Sequence, residues 1–439
     1  MGHRWHCMVV AFAVAAASSA HGAEEISWNG ITLYGAVDLG IAHQSHGTPL
    51  SQDWFVGLEY LISKNSNKPV TSIGPNGLSQ SKIGLKGKEN LVADVDVVFN
   101  VEAGFDPQSG NLADALAALQ HNNGVPLERQ TSAGDSSRAG QLFNGPAYAG
   151  FASPTYGTIT LGRNNTLLLD DILKYDPMGG SYAFSVIGLS GVVAGMGDTE
   201  DARLDASAKY LYAHEGLRAG VLYQPGHTDS SPGKAWQGTI GFDLGTFSLD
   251  AVYGHKDDAI AGSSLSVAQA ATAPPGSLAA TISDNTSYTL AASYAAGAWK
   301  AFGGYEHIRF ENPSHPLAAG IAGLGGYTLG IVNNTAFAHA RVLQASWLGL
   351  RWRLSDRWDV TGAWYHYDQN SFGATRCSDA RAGSCSGTLD AYSMMTDYKL
   401  NARWDTYAGV MYSKVADGLA SGYLNESTVS PMVGLRFRF

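Results

Sequence analysis

Residues 431–439 read PMVGLRFRF, and the last seven alternate strictly. Val433, Leu435, Phe437 and Phe439 fall on one face of an extended chain, and Gly434, Arg436 and Arg438 fall on the other. A period of two is the signature of a β-strand. The same pattern recurs upstream. In ITLYGAVDLGI (31–41), Leu33, Val37 and Leu39 oppose Thr32, Tyr34, Ala36 and Asp38. In ADVDVVFNVEAGF (93–105), Val95, Val97, Phe99 and Val101 oppose Asp94, Asp96, Asn100 and Glu102. In RLDASAKYLY (203–212), Arg203, Asp205, Ser207 and Lys209 oppose Leu204, Ala206, Ala208 and Tyr210.

Two kinds of connection separate these segments, and they alternate. One kind is a few residues long, as in KENL, SPTYG, HEG, DLGT, AAGA, LSDRW and LNARW. The other is long and rich in polar or small residues: roughly 43–78, 106–141, 164–200, 255–283, 312–338 and 369–389, with shorter members at 226–234 and 415–428. The count predicts about sixteen strands, with both chain ends at the short-turn rim. Tilted strands of about 9–11 residues cross a bilayer. Tyr156, Trp299, Trp358, Trp404 and Phe439 gather beside the short turns, where amphipathic rings favour the headgroup boundary. A soluble propeller or solenoid would show the same alternation. The two loop lengths, the aromatic girdle and the N-terminal segment favour a transmembrane antiparallel β-barrel.

That N-terminal segment has a polar head containing Arg4, an apolar run MVVAFAVAAA and then small residues. It reads as a signal peptide over residues 1–22, cleaved somewhere between 20 and 24, followed by a single barrel domain over 23–439. Export removes Cys7 and leaves Cys377 and Cys385. An even pair in an oxidising compartment suggests a disulfide. The chain has 53 glycines, 21 tyrosines and only 15% charged residues, with a mean hydropathy of −0.09. A formal charge of −10 speaks against nucleic acid as a partner, because phosphate binding needs a basic face.

Catalytic signatures are weak. GSCSG (383–387) has Cys385 where a hydrolase elbow needs serine, and neither C-x-x-C nor H-E-x-x-H occurs. His43 and His46 could bind a metal, but a pair of histidines on a long loop is more often solvated. YHYD (365–368) leaves a barrel-embedded hydrolase as one alternative. A substrate-specific channel is another. The reading is of no enzyme and no cofactor.

Taken in order, ITLYGAVDLGI, SKIGLKGKENL, VFNVEAGFDPQSG, AYAGFASPTYGTITLGR, SAKY and PMVGLRFRF resemble the general porins of Gram-negative outer membranes. Residues 363–387, AWYHYDQNSFGATRCSDARAGSCSG, resemble especially the β-proteobacterial, Burkholderia-type branch. The resemblance covers nearly the whole chain after the N-terminal segment. It implies a sixteen-stranded homotrimeric barrel in outer-membrane lipid, with short periplasmic turns and long extracellular loops. Such a barrel passes small hydrophilic solutes and ions by passive diffusion. A third long loop folds into the lumen, and the terminal Phe439 is read by the β-barrel assembly machinery. The last strand would close the barrel against ITLYGAV, with Arg436 and Arg438 facing the lumen.

The resemblance also implies where the pore narrows. The third long connection carries Asp170, Asp171 and Asp176, then a Gly-rich stretch, then Asp198, Glu200 and Asp201. Opposite it, Lys82, Arg163 and Arg203 match the family's basic wall, with Lys86 and Lys209 nearby. Facing rows of opposite charge make a transverse field that orients solutes and selects ions. Two features stand out. Strict alternation puts Arg163 on the face of Ile159 and Leu161, unless Gly162 marks a bulge. In LFNGPAYAG (142–150), Gly145 and Pro146 stand where the family has an arginine and its neighbour. One missing base predicts a modest cation preference.

Overall fold

The structure, a computed structural model, describes residues 26–53, 67–134, 137–188, 202–226, 233–322, 324–373, 384–420 and 424–439. The signal segment, Cys377, Asp198, Glu200 and Asp201 lie outside the described residues.

Sixteen antiparallel strands form one closed barrel. They are β1 Ile31–Gly47, β2 Lys82–Val92, β3 Val95–Gly104, β4 Ala147–Ser153, β5 Gly157–Asn165, β6 Arg203–His214, β7 Leu217–Gln224 and β8 Ala235–Leu244. The second half comprises β9 Phe247–Ser263, β10 Leu278–Ala296, β11 Trp299–Glu311, β12 Arg341–Ser355, β13 Trp358–Gln369, β14 Gly387–Lys399, β15 Trp404–Asp417 and β16 Ser427–Arg438. Three further short strands, Ile26–Trp28, Lys68–Pro75 and Leu329–Asn333, pair outside this count.

Closure follows the alternation of the last strand. β16 pairs with β1 from Met432↔Ala42 to Arg438↔Ala36, and Gly35 and Phe439 exchange backbone hydrogen bonds of 2.9 and 3.1 Å. The partner of the last strand is therefore residues 35–42, a few residues beyond the start of ITLYGAV. A Cβ at Gly35 would stand 2.5 Å from the Phe439 ring, so the absence of a side chain there lets the ring close the seam. In lipid an open edge would leave amides and carbonyls unpaired, at several kcal/mol each, and a closed barrel leaves none.

The two faces sort by side-chain chemistry. Ile41, Leu85, Leu161, Leu290, Leu348 and Val433 are exposed on the outer face. Asp38, Thr289, Ala291, Trp347 and Tyr365 are buried on the inner face. Tyr156, Trp299, Trp358 and Trp404 are exposed beside the short turns, and Trp299 stacks on Trp352 with ring centroids 4.9 Å apart. Among the described residues no helix is long and apolar enough to cross a membrane.

The long-loop rim is more ordered than its composition suggests. The segment 255–283, expected as a loop, is mostly strand. β9 and β10 run 17 and 19 residues and stay paired out to Ser263↔Ala279, past a bulge between Lys256 and Ala259. Its small and polar residues lack lipid-facing alternation because this ribbon stands clear of the apolar belt. Within 106–141, α1 (Ala115–His121) is capped by Asp114 and buries Leu116 and Leu119 against Ile260, Leu278, Ile282, Leu324 and Leu329. That helix roofs part of the long-loop rim.

Candidate functional site

The third long loop enters the barrel over residues 166–188. It starts with α2 (Leu167–Tyr175), whose N-cap Thr166 accepts a hydrogen bond from the Leu169 amide. The Leu167 and Leu168 amides donate to Gln237 on the wall, at 2.8 and 3.3 Å. The apolar face of the helix, Leu167, Leu168, Ile172 and Tyr175, packs in one cluster with Leu204, Leu222, Val252 and Ala291. Burying these side chains stabilises the docked loop by roughly 1.5–3 kcal/mol each.

After α2 the loop is tied around the inner wall. Trp347 donates to the Tyr175 carbonyl at 3.1 Å and Arg351 to that of Pro177 at 2.9 Å. Asp176 accepts from Tyr365 at 2.6 Å and from the Gly180 amide at 2.7 Å. Tyr367 donates to the Val186 carbonyl, and Phe184 meets Tyr407 edge-on with centroids 6.3 Å apart. The Ala183 amide donates to Gly77, at the return of the first long loop. The YHYD stretch thus clamps a loop through Tyr365 and Tyr367. His43 and His46 sit in cross-strand hydrogen bonds with Thr71 and with the Ser427 carbonyl.

Facing the loop is a basic cluster. Lys82 pairs with Glu102 at 2.7 Å, and Arg138 lies 3.5 Å from the same carboxylate. Arg163 pairs with Asp205 at 2.6 Å and donates to the Gly145 and Asn144 carbonyls. Arg203 donates to Ser137, and its Nε has no hydrogen-bond partner. Lys209 pairs with Asp170 on α2. Tyr182 from the loop donates to Gln80 and lies within the electrostatic reach of Arg138, Arg203 and Glu102. The cluster reaches water through Lys82, Asp170 and Asp205, with side-chain exposures of 35%, 27% and 25%, while its other charged members are buried.

Arg163 lies inside because of Gly162. Gly162 has φ +131°, and the β5–β6 register shifts between Gly162 and Asn164, which turns the next side chain inward. Leu204, expected on the outer face, is also inside, where it is buried in the α2 cluster; Ala206 two residues on has φ +48°. Lys86 lies over the Tyr34 ring at 5.9 Å, on the lumen side. Arg436 and Arg438 are both on the inner face and share Asp405, at 3.1 and 2.5 Å.

Two of the expected constriction acids, Asp171 and Asp176, lie outside the basic cluster. Asp176 is 1% exposed and is used up in holding the loop. Asp171 is 5% exposed and neither carboxylate oxygen has a hydrogen-bond partner. Burial first, and then the Asp250 carboxylate, push the Asp171 carboxyl well above the ordinary carboxylate range. A base does stand beside Gly145, where the resemblance led none to be expected. Arg138 comes from the Ser- and Gly-rich second loop, is 3% exposed, and hydrogen-bonds Asn144 beside Gly145. No periodicity marks a loop arginine, so the sequence carries no sign of it.

Asp171 yields a pH prediction. A raised folded value means that the neutral acid is the form that fits. Its stability is present below the ordinary carboxylate range and is lost as pH rises through the raised value. Asp171→Asn mimics the neutral form. It should leave the zero-current potential unchanged and flatten the fall of thermal stability with rising pH above the ordinary carboxylate range. Melting curves followed by circular dichroism across that range check this, and an unchanged slope would show that Asp171 does not titrate with folding.

Comparisons with known proteins agree with this fold. The family profile described as Gram-negative porin matches residues 9–418. An outer membrane porin protein of Bordetella pertussis is 24% identical over 194 residues, covering 44% of this chain and 42% of that protein. The alignment thus spans less than half the length of that relative. Among solved structures, a loop-deletion form of OmpT, an outer membrane protein of Vibrio cholerae, is 13% identical with a TM-score of 0.58, covering 93% of this chain and 99% of that one. The outer membrane channel DcaP of Acinetobacter baumannii is 12% identical with a TM-score of 0.53, covering 93% and 97%. OmpF of Salmonella typhi, solved with daunomycin, is 14% identical with a TM-score of 0.51, covering 94% and 100%. At these identities the likeness is one of fold.

Proposed function

Because the chain belongs to the Gram-negative porin family, we propose that its outer-membrane barrel is a water-filled pore through which small hydrophilic solutes and ions diffuse passively. The observation that carries this is the loop segment 166–188 held against one side of the lumen, opposite a charged wall that reaches water through Lys82, Asp170 and Asp205. Such a pore needs no cofactor and carries out no reaction. The chain is read as a homotrimer in outer-membrane lipid, and a trimer form of OmpT from Vibrio cholerae supports that reading. Assembly would use the β-barrel assembly machinery acting on Phe439, after removal of a signal peptide near residue 22. The Burkholderia-type affiliation rests on residues 363–387.

The sign of selectivity is proposed from the described charges. The expected cation preference rested on three loop acids and an absent base. Asp171 lies beside Asp250 and Asp176 is bound to Tyr365, so neither joins the cluster in which five bases (Lys82, Arg138, Arg163, Arg203, Lys209) meet three acids (Glu102, Asp170, Asp205). We therefore infer a modest preference for anions, fading as salt rises because the Debye length at 0.1 M is only about 10 Å. Zero-current potentials across planar bilayers in a KCl gradient test it. Unmodified protein should lean toward chloride, and Arg138→Gln should move the potential toward potassium. Cation preference in the unmodified protein would overturn this assignment.

A Cys377–Cys385 disulfide is proposed to staple the loop after β13, where the Cys385 carbonyl already accepts from Gln369 at 2.8 Å. Denatured, unreduced protein should take up no thiol label. Two labels per chain would end the idea.

A further inference from the structure

Below the third loop, toward the short-turn rim, three neighbouring strands carry an unusual row on the inner face. Lys300 of β11 stands directly opposite Arg351 of β12, and Arg351 stands directly opposite Thr361 of β13. Residues in such positions have Cβ atoms about 4.5–5.5 Å apart, and like charges so placed repel. Among the described residues neither Lys300 nor Arg351 has a carboxylate within ion-pair distance. Arg351 donates to the Pro177 carbonyl at 2.9 Å, and one aromatic ring lies against both cations. Phe302, 5% exposed, has the Lys300 ammonium 4.8 Å and the Arg351 guanidinium 5.4 Å from its centroid. A ring face attracts cations but leaves their charge uncancelled. Lys174 of α2 also acts on Lys300, though its own charge is paired with Asp250 at 2.8 Å.

Thr361 supplies an independent sign. It is 1% exposed, and its Oγ1 has no hydrogen-bond partner. A buried hydroxyl without a partner calls for an explanation. Its place in the cross-strand row beside Arg351 gives that row donors of three geometries: a point ammonium, a planar guanidinium fork and a rotating hydroxyl. One chloride cannot satisfy all three directions, whereas an oxyanion with several acceptor oxygens can.

We propose that Lys300, Arg351 and Thr361 form a binding station for a small oxyanion of the phosphate class, on the periplasmic side of the constriction made by residues 166–188. The station rests on the open-pore reading for the ion's route to it. Its inner wall is Phe302, and Lys174 guards the side toward α2. An ion leaving the constriction would pause there before release, so the station would give the pore a saturable component for oxyanions that simple diffusion lacks.

Titration calorimetry of inorganic phosphate into the folded protein in detergent micelles at low salt tests the station. Saturable binding at about one ion per chain is expected. Charge-assisted hydrogen bonds contribute roughly 1.5–3 kcal/mol, so Lys300→Gln should weaken binding about tenfold or more. Among the described residues Lys300 makes no hydrogen bond to the loop, which makes it the deciding variant, while Arg351→Lys should weaken binding with the barrel intact. Lys88→Gln, at an exposed lysine paired with Asp96, should change nothing. No saturable heat, or equal affinity in Lys300→Gln, would overturn the station. Bilayer recordings on the same samples separate the two readings. Conductance without phosphate binding removes the station alone. Binding without conductance keeps the station and removes the pore.

Discussion

Asp176→Ala will free the third loop from the wall and raise single-channel conductance, with more current noise and no loss of the folded barrel. Asp176 is the buried hinge between α2 and the rest of the loop. Its carboxylate takes the Tyr365 hydroxyl and the Gly180 and Met178 amides at 2.6, 2.7 and 3.2 Å. Removing it strands a buried hydroxyl and two amides. Each costs about 1–3 kcal/mol when left unpaired. Even one such loss raises the undocked population roughly 5- to 150-fold. Tyr365→Phe removes one donor and leaves the two amides satisfied, so its effect should be smaller and in the same direction. Bilayer recordings at fixed KCl measure both. A conductance equal to that of the unmodified protein in Asp176→Ala would mean that the loop does not limit the passage.

Phe99→Arg will destabilise the barrel by about 2–4 kcal/mol, the cost of arginine on the lipid face near the midplane. Phe99 is the fifth residue of the ten in β3 and covers Gly87 of β2 on the outer face, where a Cβ would come within 2.0 Å of its ring. Asn100 faces inward and accepts the Tyr34 hydroxyl at 2.7 Å, so Asn100→Arg loses one hydrogen bond and gains contact with water. It should cost about 1 kcal/mol. Urea unfolding in lipid vesicles compares the two variants. Equal destabilisation would reverse or abolish the assignment of faces.

The faces and the closure were legible because a barrel in lipid imposes the same period on every strand. VGLRFRF and ITLYGAVDLGI carry that period without interruption, and the two strands meet at Phe439 and Gly35. Arg163 was legible only as a conflict, since alternation sends it outward and the bulge at Gly162 brings it in. The charge of the constriction was not legible. Arg138 reaches Glu102 from an aperiodic loop, and Asp171 and Asp176 look like solvated loop acids until α2 buries one face. Trp347, Tyr365 and Tyr367 obey strand periodicity and so signal only an inward direction. Their role as clamps depends on where the loop docks. The extent of β9 and β10 was missed because their distal ribbon has no lipid to face.

Liposome swelling with uncharged sugars of increasing size tests the open pore most directly, because it removes charge and voltage from the question. The purified protein should admit the smallest sugars at rates proportional to their gradient. Rates should fall smoothly with solute size and show no saturation. Asp176→Ala liposomes should admit larger sugars than those bearing unmodified protein. Swelling no faster than in protein-free liposomes, or uptake confined to one sugar and saturable in it, would contradict the account.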